Sequence, residues 1–378
     1  MPNTGKHRGW LLVYELQFWL LICIFVSPLA QAHHSSPPGS FQTDLVQVDA
    51  TIVKFRYANP HARLEYDIKR EGGSTERWVT VTHSVNVLKR RGIERDLLKT
   101  GDTVKISGWP SVRDENFMRI QEVQLADQRV ARFWGKDMGV YVDSSTVGAS
   151  QSVISAAVNK EFYDFTGGTS LNFSGMWVRA FFRQSIPEPP FNDTARARIA
   201  KFDPHTDDPV LTCVPGGFPR QAGNPYPMEI IHHPDAIYML YEAGNSLRRI
   251  YLDGRNIPED ASSSVMGYSV GSWEGDELVV TTKRLNENII TGLGAPLSEH
   301  AVITERWGFV DPAEYVDTGS PTARANGNVH QKLLRTEVYV EDSVYYDEPF
   351  LFKRAFYSYK PDLVVLEYVC DPENARSR

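Results

Sequence analysis

The stretch GSWEGDELVV, residues 271–280, sets a tryptophan ahead of two acids around a glycine, and then an apolar run. Paired carboxylates are the usual equipment of general acid–base chemistry. The same residues also spell a hairpin. Trp273 closes one strand, Glu277 opens the next, and glycine inside Glu274-Gly275-Asp276 supplies the positive φ that a tight turn needs. Acids sit most cheaply on such an exposed loop, so we read the stretch as a turn rather than as a catalytic pair.

Working outward, the hairpin belongs to a long series. Strands are predicted at 175–183, 228–232, 236–241, 247–252, 267–273, 277–283, 301–309, 332–340, 352–359 and 363–370. Ten strands joined mainly by hairpin signals predict an antiparallel sheet. A meander of that length avoids exposed edges best by closing into a barrel. A β-sandwich and a small propeller compete, although no repeat of propeller period is visible. The first third reads as strands at 46–57, 63–69 and 78–82, a helix at 85–91 that extends toward 98, and strands at 103–109 and 118–125. Period-two alternation supports the strands. Three strands, a helix and two strands is the element order of the small five-stranded OB barrel.

Three resemblances follow from these residues. FSGMW (173–177) resembles the Gly-x-Trp opening of lipocalin-like barrels, which implies that Trp177 plugs a closed end beneath a pocket for one small apolar ligand. AHHSS, VKFRYANPHARLEYDI and LLKTGDTVKISGWP, spanning roughly residues 32–125, resemble a family of uncharacterised secreted bacterial proteins. CVPGGFPR, YEAGNSLRRIYLDGR, GYSVGSWEGDELVV and LSEHAVITERW, spanning about 210–310, resemble a second group of exported bacterial proteins of unknown function. Here Tyr268 and Leu297 stand where that group carries histidines, which counts against a shared histidine mechanism or metal site. The expected architecture is mainly β. A signal peptide (1–32) precedes an OB-like barrel (33–135), a linker (136–170) and a lipocalin-like antiparallel β-barrel (171–378).

The N-terminus carries the pattern of an export signal: Lys6 and Arg8, an apolar run from Trp10 to Leu29, and Ala30-Gln31-Ala32 as a cleavage site. The alternative is an uncleaved anchor, since the run could span a bilayer. No later segment could, so no membrane span is expected after cleavage. With Cys23 removed, two cysteines remain, and their parity in an oxidising compartment predicts a Cys213–Cys370 disulfide. The expected location is periplasmic or secreted. A net charge of −7 without a dense basic stretch sets nucleic acid aside as a partner.

Candidate site residues cluster in YEAGNSLRRIYLDGR (241–255). In a strand Arg249 and Tyr251 share one face, while Arg248, Ile250 and Leu252 share the other, so one arginine must point where its neighbour does not. An arginine inside a barrel needs a carboxylate or an anionic ligand. Glu242 on the adjacent strand is a candidate partner, and a solvated Arg–Glu ladder on the outer face is the competing reading. We take Glu242, Arg249, Tyr268 and His300 as candidate catalytic groups, and Trp177, Tyr251, Asp253, Arg255 and Trp273 as candidate pocket residues. His33, exposed as a new N-terminus by cleavage, with His34 and His61, could bind Cu or Zn. A flexible polar tail is the alternative, and otherwise no cofactor is expected. Three functions stay open: a carrier of a hydrophobic small molecule; a lipocalin-like isomerase, cyclase, lyase or hydratase acting on an apolar molecule; and a metal-linked periplasmic protein.

Overall fold

In the computed structural model the described residues are 41–70, 72–112, 114–134, 138–141, 171–180, 185–204, 206–315 and 332–373. The expected signal, His33 and His34 lie outside them. The fold is mainly β, a sheet followed by a closed barrel.

The first sheet contains β1 (Val46–Arg56), β2 (Arg63–Lys69), β3 (Thr75–Val81), β4 (Thr103–Pro110), β5 (Met118–Gln124), β6 (Val130–Arg132) and β7 (Gly139–Tyr141), in the order β3-β2-β1-β4-β5-β6-β7. Every second residue of β2, Leu64, Tyr66 and Ile68, is buried, as a half-buried strand requires. The edges of the five-stranded part approach each other through a parallel bridge between Val79 and Phe117, which gives the OB-like ring. Between β3 and β4, Ser84 caps the helix Val85–Arg90, its Oγ accepting from the Val87 N–H at 3.4 Å. The helix stops at Arg90, short of the expected extension to 98. Gly139–Tyr141, inside the stretch expected to be linker, pairs with β6 because Tyr141 is buried there.

The barrel is built from β8 (Gly175–Ala180), β9 (Met228–His233), β10 (Ala236–Tyr241), β11 (Ser246–Tyr251), β12 (Tyr268–Glu274), β13 (Glu277–Lys283), β16 (Val302–Val310), β17 (Leu333–Glu341) and β18 (Phe350–Tyr359). The ring order is β10-β11-β12-β13-β16-β17-β18-β8-β9. A small separate pair, β14 (Asn288–Ile289) and β15 (Pro296–Leu297), lies in the β13–β16 connection. The opening hairpin is tighter than expected. Glu274 and Glu277 face each other, Gly275 takes φ +61, and both glutamates bond to Arg306 on the outer surface.

Two expectations are corrected. One barrel pair, β11–β12, is parallel, because residues 252–267 carry the chain back to the starting end before β12 begins. The tenth strand does not form. β18 pairs with β8 and closes the ring, so residues 363–370 find no edge. They run instead as an extended strap against the first sheet. Asn59 bridges Cys370, the Asn86 side chain donates to the Leu366 and Glu367 carbonyls, and Arg90 donates to the Val364 carbonyl at 3.0 Å. The disulfide Cys213–Cys370 ties this strap to the segment that precedes β9.

Candidate ligand site in the barrel

Alternation along the strands decides what faces inward. On β16 the inward set is Ile303, Glu305, Trp307 and Phe309; on β13 it is Leu278, Val280 and Thr282; on β11 it is Ser246, Arg248 and Ile250. At one end, aromatic rings form a floor. Trp177 is 0% exposed, and its indole N–H donates to the Phe173 carbonyl at 2.8 Å. Phe309, Tyr359 and Phe173 pack around it, with His232 and Trp273 beyond. Trp273, 37% exposed, is the outer tile of that floor.

Midway up the barrel sits a polar layer. Arg248 (1% exposed) forms a two-pronged ion pair with Glu305 (0% exposed). Arg248 also donates to Ser269 Oγ at 3.2 Å and Thr282 Oγ1 at 2.8 Å, while Trp307 Nε1 donates to Glu305 at 3.1 Å. Burial alone would pull the Arg248 guanidinium down, but the adjacent Glu305 carboxylate outweighs it and holds the group above its ordinary value. Burial also pushes the neighbouring phenols up, Tyr357 to about 12. Thr336 Oγ1 on β17 is buried without a hydrogen-bond partner.

The other end is covered by the connection from β8 to β9. Its segment CVPGGFPR (213–220) drops Phe218 onto the polar layer, the ring centroid 3.7 Å from Arg248 Cζ. Phe218 N–H donates to the Val265 carbonyl at 2.7 Å, and Arg220 forms a two-pronged pair with Asp208 at 2.8 and 2.7 Å. Arg179 and Lys353 converge on Gly223 of the same connection. A Cβ there would stand 2.8 Å from Lys353 Cδ and 3.2 Å from Arg179 Cζ. With φ +74 as well, position 223 accepts little but glycine.

The expected site residues scatter. Glu242 is buried but pairs with Arg90, the last residue of the helix between β3 and β4, and it accepts the Leu366 N–H at 2.9 Å; it is not the partner of the inward arginine. Arg249 lies on the outside over Tyr238 and Tyr251, and bonds the Tyr251 hydroxyl at 3.2 Å. Tyr268 stacks on Tyr251 at 5.0 Å, and Arg255, paired with Asp253, covers Tyr251. These residues form an aromatic–arginine ladder on the outer wall, separate from the interior. His300 is exposed. Trp177 and Trp273 belong to the floor. His61 places Nδ1 3.1 Å from the Thr82 carbonyl, and no group of three potential metal ligands occurs among the described residues.

Sequence reasoning missed Arg248 and Glu305. The signal was present: Arg248 shares its face with Ile250 and Leu252, and Glu305 stands between Ile303 and Trp307. An apolar face marks the core, so each charge on it is an inward one. A depression of about 230 Å³ on the first sheet is lined by Asp96, Lys99, Asp102, Asp127 and Arg129. Two of its acids already bond within their own loops, Asp102 to the Lys99 N–H and Asp127 to Arg129.

Residues 21–118 match a family of unknown function, DUF6152. No curated protein matches the chain. The disulfide fits an exported protein, and among the described residues no helix is long and apolar enough to cross a membrane.

Proposed function

We propose that this is an exported small-molecule-binding protein whose barrel takes an apolar ligand beneath the 213–224 segment. The observation that supports it is the desolvated Arg248–Glu305 layer, walled by hydroxyls and capped by the Phe218 ring. A buried ion pair is poor value as a structural element, since apolar side chains of similar volume stabilise a core at least as well. A few convergent polar groups in an apolar interior are, by contrast, what orients a ligand. The side chains now form a continuous interior cluster, so the ligand enters by displacing Phe218. The N-terminal signal pattern and the disulfide support export to the periplasm or the medium.

Mass spectrometry of molecules released on denaturing the exported protein tests this reading. A stoichiometric apolar compound is expected, lost in Phe218→Asp, where a carboxylate would replace the ring over Arg248. A protein that carries nothing, and whose interior tryptophan fluorescence is unmoved by apolar probes, would overturn it.

A further inference from the structure

We infer that the ligand of the barrel carries a carbonyl oxygen on its apolar body, and that the Thr336 hydroxyl on the inner wall donates to it. The inference rests on the reading of the barrel as a small-molecule site. It adds the chemical class: an apolar ketone or ester rather than a plain hydrocarbon.

Thr336 is 0% exposed and lies on the inner face of β17, between inward Leu334 and Val338. Its neighbours across the ladder are Trp307 on β16 and Ala355 on β18. Neither serves the hydroxyl. Ala355 has only a methyl group, and the Trp307 indole N–H is spent on Glu305. Tyr357, two residues beyond Ala355, sets its ring parallel to that of Trp307, with centroids 6.1 Å apart. The Tyr357 phenol oxygen accepts the Gly223 N–H at 2.7 Å, so this part of the wall touches the 213–224 segment beneath which the ligand enters.

The interior is short of acceptors. Glu305 Oε1 is taken by Arg248 and Trp307, and Oε2 by Arg248. Among the described residues the Tyr357 proton has no acceptor, since its oxygen is itself the acceptor for Gly223. Ser269 and Thr282 share one bond at 2.9 Å while both accept from Arg248, which leaves one of their two protons unspent. Thr336 Oγ1 has no partner in either role. Glu305 already balances the charge of Arg248, so the layer asks for no ionic group. A buried hydroxyl without a partner is costly, and a valine of the same shape would avoid that cost. A ligand oxygen brings in the acceptor that the wall lacks.

The test is a fluorescence titration of the full chain, disulfide intact, with 2-octanone and with octane, followed through the interior tryptophans. Thr336→Val should weaken 2-octanone about fivefold and leave octane within about twofold, as the loss of one hydrogen bond requires. Thr336→Ser, which keeps the hydroxyl, should hold the ketone within about twofold. Thr336→Ala against Thr336→Ser repeats the comparison without the valine branch. In the unliganded protein the denaturant midpoint of Thr336→Val should equal or exceed that of the unmodified chain. A lower midpoint would show the hydroxyl already partnered in the free protein and overturn the inference. Equal effects of Thr336→Val on the two probes overturn the role of the hydroxyl and leave the barrel reading standing. Binding of neither probe overturns both.

Discussion

Arg248 and Arg249 are adjacent in sequence and live in different solvents. Arg248 is locked in the barrel by Glu305, Ser269 and Thr282 under the Phe218 ring. Arg249 lies on the outer wall over Tyr238 and Tyr251. Inside, charge has no water to fall back on, and every donor must find a protein partner. Outside, the same guanidinium can exchange a tyrosine for water at little cost. Two neighbouring residues of one type therefore carry different consequences, set by the pleat alone.

The largest effect should come from splitting the inner pair. Glu305→Leu leaves Arg248 buried without its carboxylate and should cost about 3–5 kcal/mol in denaturant unfolding. The double change Arg248→Met with Glu305→Leu should recover most of that loss. If the double variant is as unstable as the single one, the pair is a structural necessity, and the argument that it is kept for a ligand fails.

That contrast also marks how far the sequence could be read. The hairpin at 271–280, the alternation in AVITERWGFV and the Gly-x-Trp start were enough for a mainly β chain ending in a barrel, because strand period and turn chemistry are local properties. Cysteine parity was enough for the disulfide. Pairing partners were harder. Glu305 is 57 residues from Arg248, and choosing it over nearby Glu242 requires the ring order. Residues 363–370 alternate like a strand, but whether an edge remains open for them depends on β8, nearly two hundred positions earlier. No local pattern announces that Glu242 will be taken by Arg90 on the helix that follows β3.

A smaller inner effect is expected at Thr282. Thr282→Val keeps the shape and removes one acceptor from Arg248, which should cost about 1–2 kcal/mol in the same unfolding measurement. A neutral result would mean that the hydroxyl wall contributes nothing to holding the guanidinium.

Lys353 extends the comparison to the rim, where its folded-state value lies below that of the unfolded chain. Between about pH 7 and 10.5 the unfolded state binds a proton that the folded state does not, so this group's contribution to stability rises with pH across that window. Below 7 its penalty is constant and largest. Lys353→Met should therefore raise Tm most at pH 6, with a gain that shrinks by pH 9. A gain independent of pH would show that the ammonium is not strained by its neighbours.

The smallest effect belongs to the outer wall. Arg249→Ala should change unfolding free energy by no more than about 0.5 kcal/mol. A loss comparable to that of Thr282→Val would show that the tyrosine–arginine ladder is more than a solvated surface.

The Cys213–Cys370 link joins the start of the segment that bears Phe218 to the strap that docks on Asn59. The cover of the barrel is thus tied to a neighbouring sheet as well as to its own wall. Thiol reagents that cut this one bond would unfasten cover and strap together. A chain held in reducing surroundings would keep its strands and the cap's hydrogen bonds to the barrel, while losing the covalent half of its anchor.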